Sequence, residues 1–178
     1  QECFPFYFVQ LSSIEGRDTW PHFRDSQRRL AKQIPNCEMV ISSDVGTRND
    51  VHPRNKKTVA NRIVNLVLSS YYRKKKTNEK AVTPAKYKFK GNNLTISFDN
   101  TKYLNTSDNA PIKTLEVAGE DKIFIKAEGK IRRNSILIKS DLENLKYVRY
   151  GWTPYSEGNL VNENRMPVST FSNEFEKN

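Results

Sequence analysis

From residue 81 to residue 178 the chain carries no convincing helical periodicity. It offers instead short runs that alternate in polarity or are β-branched, at 87–90, 94–98, 113–117, 123–126, 135–138 and 147–150. Gly and Asn separate several of them, as in Gly91-Asn92-Asn93. Alternation turns one face of a strand to a core and the other to water. Short strands joined by tight turns pair antiparallel, so 81–178 is expected to form a small antiparallel β-sandwich domain.

Residues 1–80 read differently, as an α/β domain. Phe4 to Val9 is an apolar run that suits a buried strand. Asp18 or Thr19 can cap a helix with Pro21 in its first turn, and Pro35 stops it near residue 33. Trp20, Phe23, Leu30 and Ile34 would form its apolar stripe. A second strand follows at 39–42, which predicts a parallel pair with a right-handed crossover. A longer helix is expected from about 55 to 75, with an apolar stripe of Val59, Ile63, Leu66, Val67 and Tyr71. It would end in the cations Arg73-Lys74-Lys75-Lys76, which suit the negative end of a helix dipole.

The 178 residues hold 30 Lys and Arg against 20 Asp and Glu, a net charge of +10. The excess leans to the first 80 residues, with Arg73–Lys76 and Lys56-Lys57 as its patches. A charge run at a helix end is ordinarily a solvated face, so nucleic acid is not the expected partner. A positive field suits anionic substrates. No run approaches 18 apolar residues, so no membrane-spanning helix is expected. Cys3 and Cys37 allow at most one disulfide, or are small buried thiols. Two His far apart give no zinc spacing, and the seven Gly form no phosphate loop, so neither metal nor cofactor is expected. The chain opens on Gln1, as expected of a processed or excised piece of a longer protein.

The loop Asp44-Val45-Gly46-Thr47-Arg48-Asn49-Asp50-Val51-His52-Pro53 is the most informative stretch. It follows a strand and precedes a helix, where open α/β sheets bind ligands. His52 among nearby carboxylates can act as a general base, with an acceptor fixing its tautomer. The plainer reading is a surface loop whose His caps the next helix. His22, between Pro21 and Phe23, reads as structural. No Gly-x-Ser-x-Gly elbow is present. Ser12 and Ser13 follow the first strand and read as loop residues.

The order of these motifs resembles the C-terminal part of the sialate O-acetylesterase family, in the SGNH hydrolase superfamily. The matching stretches are 5–11, Trp20 with Arg24 and Gln27, Asp44-Val45-Gly46, 50–56, and the helix through Val59 and Arg62. Val148-Arg149-Tyr150-Gly151-Trp152, Gly158-Asn159-Leu160 through Asn162, Pro167 and Phe171 complete the order. The resemblance implies the fold class: the C-terminal part of a parallel-sheet SGNH hydrolase domain over 1–80, followed by the β-sandwich over 81–178. It implies His52 as the general base of serine-type ester hydrolysis, with Gln10 and Arg54 near the pocket. It implies an O-acetylated sialic acid or other acylated sugar as substrate, in a secreted, periplasmic or other extracytoplasmic setting.

Two departures from the family pattern shape the expectation. The family's nucleophilic Ser lies upstream of the matched stretch, so the chain alone is expected to lack activity until an upstream segment or chain supplies it. The superfamily pattern is Asp-x-x-His, yet Asn49 stands three before His52, leaving Asp50, Asp44 or a backbone carbonyl to orient the ring. A half sheet would also expose an edge, so a partner segment or self-association is expected. The alternative is a non-catalytic carbohydrate-binding or scaffold module, in which Trp152, Tyr150 and Tyr155 would stack on sugar rings or simply pack inside.

Overall fold

A computed structural model describes residues 4–74 and 79–176. The order of elements is β1 (Phe6–Val9), α1 (Trp20–Gln33), β2 (Cys37–Val40), α2 (Lys56–Ser70), then β3 (Thr83–Lys90), β4 (Asn93–Asp99) and β5 (Leu104–Thr106). It continues with β6 (Leu115–Ala118), β7 (Ile125–Lys126), β8 (Gly129–Arg132), β9 (Ser135–Lys139), β10 (Tyr147–Tyr150), β11 (Leu160–Asn162) and β12 (Phe171–Ser172).

The expected parallel-sheet α/β hydrolase domain is not what forms. Among the described residues, β1 and β2 are the one parallel pair of strands, in register from Phe6 opposite Cys37 to Val9 opposite Val40. The other paired strands are antiparallel, and the chain is β-rich with two α-helices. The reason lies in the connections. A parallel pair needs a crossover of a dozen or more residues. Only α1 supplies one that returns to the same sheet. After α2 the chain leaves for strands linked by short turns, and these close antiparallel.

Two four-stranded sheets, β12-β10-β6-β7 and β3-β4-β9-β8, share one core. Leu94, Ile96 and Phe98 alternate inward on β4, Ile136 and Ile138 on β9, and Leu115 and Val117 on β6. Tyr150 and Phe171 stack within it, 5.7 Å between ring centroids. Each such apolar side chain gains about 2 kcal/mol from leaving water. The β5–β11 pair carries Leu104 and Leu160 into the same core.

Helix α1 reverses the expected polarity. Its buried side chains are Pro21, Arg24, Asp25 and Arg28, while Phe23, Leu30 and Ile34 face outward, 47–55% exposed. Asp25 and Arg28 are matched in place. Arg28 Nη2 pairs with Asp25 at 2.7 Å and Glu176 at 2.8 Å, and Arg29 pairs with the other Asp25 oxygen at 3.0 Å. Buried charge is tolerated when paired in this way.

Thr19 precedes α1 without a side-chain cap, and Pro21 sits in its first turn. Helix α2 is capped by Asn55, whose Oδ1 accepts the Thr58 N–H at 3.1 Å. It ends at Ser70, so Arg73 lies beyond it with a left-handed φ of 52°. Lys75 and Lys76, with the rest of 75–78, fall outside the described residues. So does Cys3, while Cys37 is a buried free thiol whose pKa burial pushes up. No helix among the described residues is long and apolar enough to cross a membrane.

Candidate active site

Strand β1 delivers the chain to a locked corner. The Gln10 N–H continues the parallel ladder to the Val40 carbonyl at 2.9 Å, and the Leu11 N–H donates to Gln27 Oε1 at 2.9 Å. Trp20 Nε1 donates to the Ser12 carbonyl at 2.7 Å. Ser42 Oγ donates to the Gln10 carbonyl at 2.7 Å, which ties the ends of β1 and β2 together.

The loop after β2 starts with a 3₁₀ turn over Ser43–Val45 and then presses against that corner. A Cβ on Gly46 would lie 2.5 Å from the Ser13 carbonyl oxygen and 2.7 Å from its nitrogen. Only glycine permits backbones to approach so closely. Asp44 and Arg62 hold the start of the loop to α2, in two bonds of 2.7 and 2.6 Å. Arg62 Nη1 also donates to the Ile41 carbonyl at 2.8 Å. A bidentate guanidinium–carboxylate pair fixes direction as well as distance.

His52 stands at the far end of this loop. Its Nδ1 lies 3.2 Å from Asp50 Oδ1, and its backbone N–H donates to the same oxygen at 2.8 Å. The carboxylate places the ring proton on Nδ1 and leaves Nε2 as the basic nitrogen. The His52 backbone N–H, more than any other group, holds the Asp50 pKa below its ordinary value. The His52 side chain is 82% exposed, so Nε2 is open to a reacting group. Beside it Val9, Leu11, Val51, Pro53 and Val59 line an apolar groove of about 400 Å³.

The remaining candidates take other places. Asp44 belongs to Arg62, not to His52. Gln10 lines the groove but is fully buried, its Nε2 donating to the Arg24 carbonyl and to Ser169 Oγ, each at 2.8 Å. Arg54 is exposed and does not line the groove. Ser12 and Ser13 are buried. Ser12 Oγ donates to the Val51 carbonyl at 2.6 Å, and Ser13 Oγ accepts the Ser156 N–H at 3.2 Å. His22 meets Trp152 in a T-shaped contact, 4.9 Å between centroids. Among the described residues, no three His, Cys, Asp or Glu side chains gather as a metal-binding group.

Two arginines escaped functional assignment from the sequence. Arg24 is fully buried and donates to the carbonyls of Gly151, Thr153 and Pro154 and to Thr170 Oγ1 at 2.5–3.0 Å. Burial without a carboxylate pulls its pKa down to about 10. Arg48, inside the His52 loop, pairs with Glu15 and with Glu157 at 2.5 Å, and lies 4.5 Å over the Tyr155 ring. The polar inward face of α1, with Arg24, Asp25 and Arg28, carried no signal apart from its spacing of three and four residues. The reach of Arg48 to a residue 109 positions away carried none.

No protein-family model and no curated protein matches the chain. Among solved structures it is similar to XAC1771, described as a novel carbohydrate acetylesterase from Xanthomonas citri. The TM-score is 0.87 at 26% identity, over 94% of this chain and 40% of that one. The chain thus spans about two fifths of the length of that structure. This likeness supports an esterase-like fold; it does not single out the sialate O-acetylesterases.

Proposed function

We propose that this chain carries the general base of a carbohydrate O-acetylesterase, with His52 as the base and Asp50 as the residue that positions it. The carrying observation is the Asp50–His52 pair at the rim of an open apolar groove, in a chain similar to a carbohydrate acetylesterase. In the proposed reaction His52 Nε2 takes the proton of a serine hydroxyl as its oxygen attacks the ester carbonyl. The imidazolium then gives that proton to the departing sugar oxygen. Water, deprotonated by the same nitrogen, attacks the acyl-serine; the imidazolium returns that proton to the departing serine oxygen and acetate is released. Acylated sugars are the substrate class, O-acetylated sialic acid among them.

The serine comes, in this reading, from another polypeptide segment seated on the free edge of β1. Supporting this, β1 pairs with β2 alone among the described strands, and Phe4, Phe6 and Val9 are 78%, 60% and 37% exposed. Phe23 and Leu30 of α1, and Ile34 just after it, are exposed apolar side chains as well. An uncovered strand edge beside apolar side chains is a surface that proteins ordinarily bury.

The test is acetyl release from a chromogenic acetyl ester and from O-acetylated sialic acid, with His52→Ala as control. The chain alone should show no turnover above the control. Adding a segment that carries the nucleophile should restore it, dependent on His52. Turnover that survives His52→Ala in the reconstituted enzyme overturns the base assignment. His52-dependent turnover by the chain alone overturns the separate nucleophile.

A further inference from the structure

A second groove, of about 430 Å³, opens on the β-rich part of the chain. Ile112, Leu115 and Ala127 form an apolar floor and Trp152 a wall. Trp152 is rigidly seated: its ring stacks on Phe175 at 6.0 Å and 16°, and His22 meets it edge-on. Tyr150 takes no part, because it is buried in the core and its hydroxyl accepts the Leu160 N–H at 2.8 Å. Tyr155 lies under Arg48 instead.

The rim carries two cations and two anions, Lys113, Lys126, Glu116 and Glu157. Their charges cancel, so the groove offers no net attraction to an ion. Both carboxylates are held in place through one oxygen. Glu116 Oε2 accepts Arg149 Nε at 2.7 Å, and Glu157 Oε1 accepts Arg48 Nη2 at 2.5 Å. Among the described residues the second oxygen of each takes no hydrogen bond, which leaves it to accept from a ligand. Ligand sites of this size combine an apolar lining with a few oriented polar groups. A ligand with an apolar face and a belt of hydroxyls fits both.

We propose that the Trp152 groove binds an unreacted unit of a neutral oligosaccharide. The ring face lies against Trp152 and the floor, and hydroxyls bond Glu116, Glu157 and Lys126. The link of Glu157 to Arg48 joins this rim to the loop that carries His52, so a sugar chain held here is anchored beside that loop. The anchoring role rests on the esterase reading; the binding itself does not.

The test is calorimetric titration of the full chain with neutral β-1,4-linked hexasaccharides of glucose, xylose and mannose, and with an oligogalacturonate as the anionic comparison. At least one neutral hexasaccharide should bind. Trp152→Ala should weaken it at least tenfold. Where that variant fails to fold, Lys126→Ala, at an exposed position, should weaken it roughly fivefold, the worth of one hydrogen bond. His52→Ala should leave binding unchanged. The proposal is overturned if no neutral hexasaccharide binds, if the anionic oligomer binds in preference, or if His52→Ala abolishes binding that the variants at 126 and 152 leave intact. Binding without any acetyl release in the reconstituted enzyme would sink the esterase reading and leave this site standing.

Discussion

One oxygen, Oδ1 of Asp50, serves His52 twice: it accepts the backbone N–H at 2.8 Å and faces ring Nδ1 at 3.2 Å. The first bond shapes the turn and the second aims the ring. Asp50→Asn keeps an acceptor for the backbone but loses the charge that stabilises an imidazolium. In the reconstituted enzyme kcat should fall roughly 10²- to 10⁴-fold with KM little changed, and the pH–rate profile should shift. Asp44→Asn should leave kcat within about threefold, since Asp44 acts on Arg62. Equal losses in the two variants would reverse that assignment.

The same oxygen sets an acid limit. The Asp50 carboxyl sits below its ordinary value of 3.8 in the folded protein, chiefly through the His52 backbone N–H. A depressed folded pKa stabilises the turn above 3.8 and loses that contribution as pH falls through the lower folded value. NMR of the Asp50 side-chain carboxyl carbon should therefore show its titration centred below 3.8. A transition centred above pH 4 would contradict the bonded geometry.

Arg62 acts as a strut between α2 and the start of the loop. Removing it as Arg62→Met strips two bonds from Asp44 and one from the Ile41 carbonyl. Asp44 is 32% exposed, so water recovers part of the loss. The expected cost is about 2 kcal/mol, read as a lower urea midpoint at unchanged slope. A midpoint within experimental error of the parent would show that the strut carries no load.

Much of the architecture was legible because alternation survives in a single sequence. Six strands of the β-rich part fell on runs such as 94–98 and 135–138, whose Leu94, Ile96, Ile136 and Ile138 all reach the core. The strands β5, β8, β11 and β12, two to four residues long, are too short to carry a period. The parallel-sheet expectation failed because one strand–helix–strand unit was extended into a whole domain. The stripe on α1 misled in another way. Periodicity marks an apolar face but not which way it points: the Asp25–Arg28 pair and the carbonyls that receive Arg24 hold these three side chains inward. Of the loop, His52 and Asp50 stood out by residue type. The division of labour between Asp50 and Asp44 depended on Arg62, eighteen residues beyond Asp44.

Gly46 is held where no side chain fits. Both near atoms of Ser13 are backbone and cannot swing away, so Gly46→Ala must move the loop or the corner after β1. The expected cost is about 2 kcal/mol, and the displaced loop should weaken His52-dependent turnover more than it weakens folding. A structure of the variant with the Asp50–His52 pair unmoved and stability unchanged would count against this close approach.

The exposed stripe of α1 gives the sharpest test of a covering segment. Phe23 and Leu30 are 55% and 49% exposed, so Phe23→Lys with Leu30→Lys should change the stability of the chain alone by no more than about 0.5 kcal/mol. If another segment covers this face, the same pair of substitutions buries two ammonium groups in an apolar interface, which is costly without partners. Light scattering should then show the parent associating, with itself or with the added segment, and the variant remaining monomeric. Identical masses for parent and variant, with full reconstitution of acetyl release in both, would mean that the covering segment leaves α1 in water and rests on the edge of β1 alone.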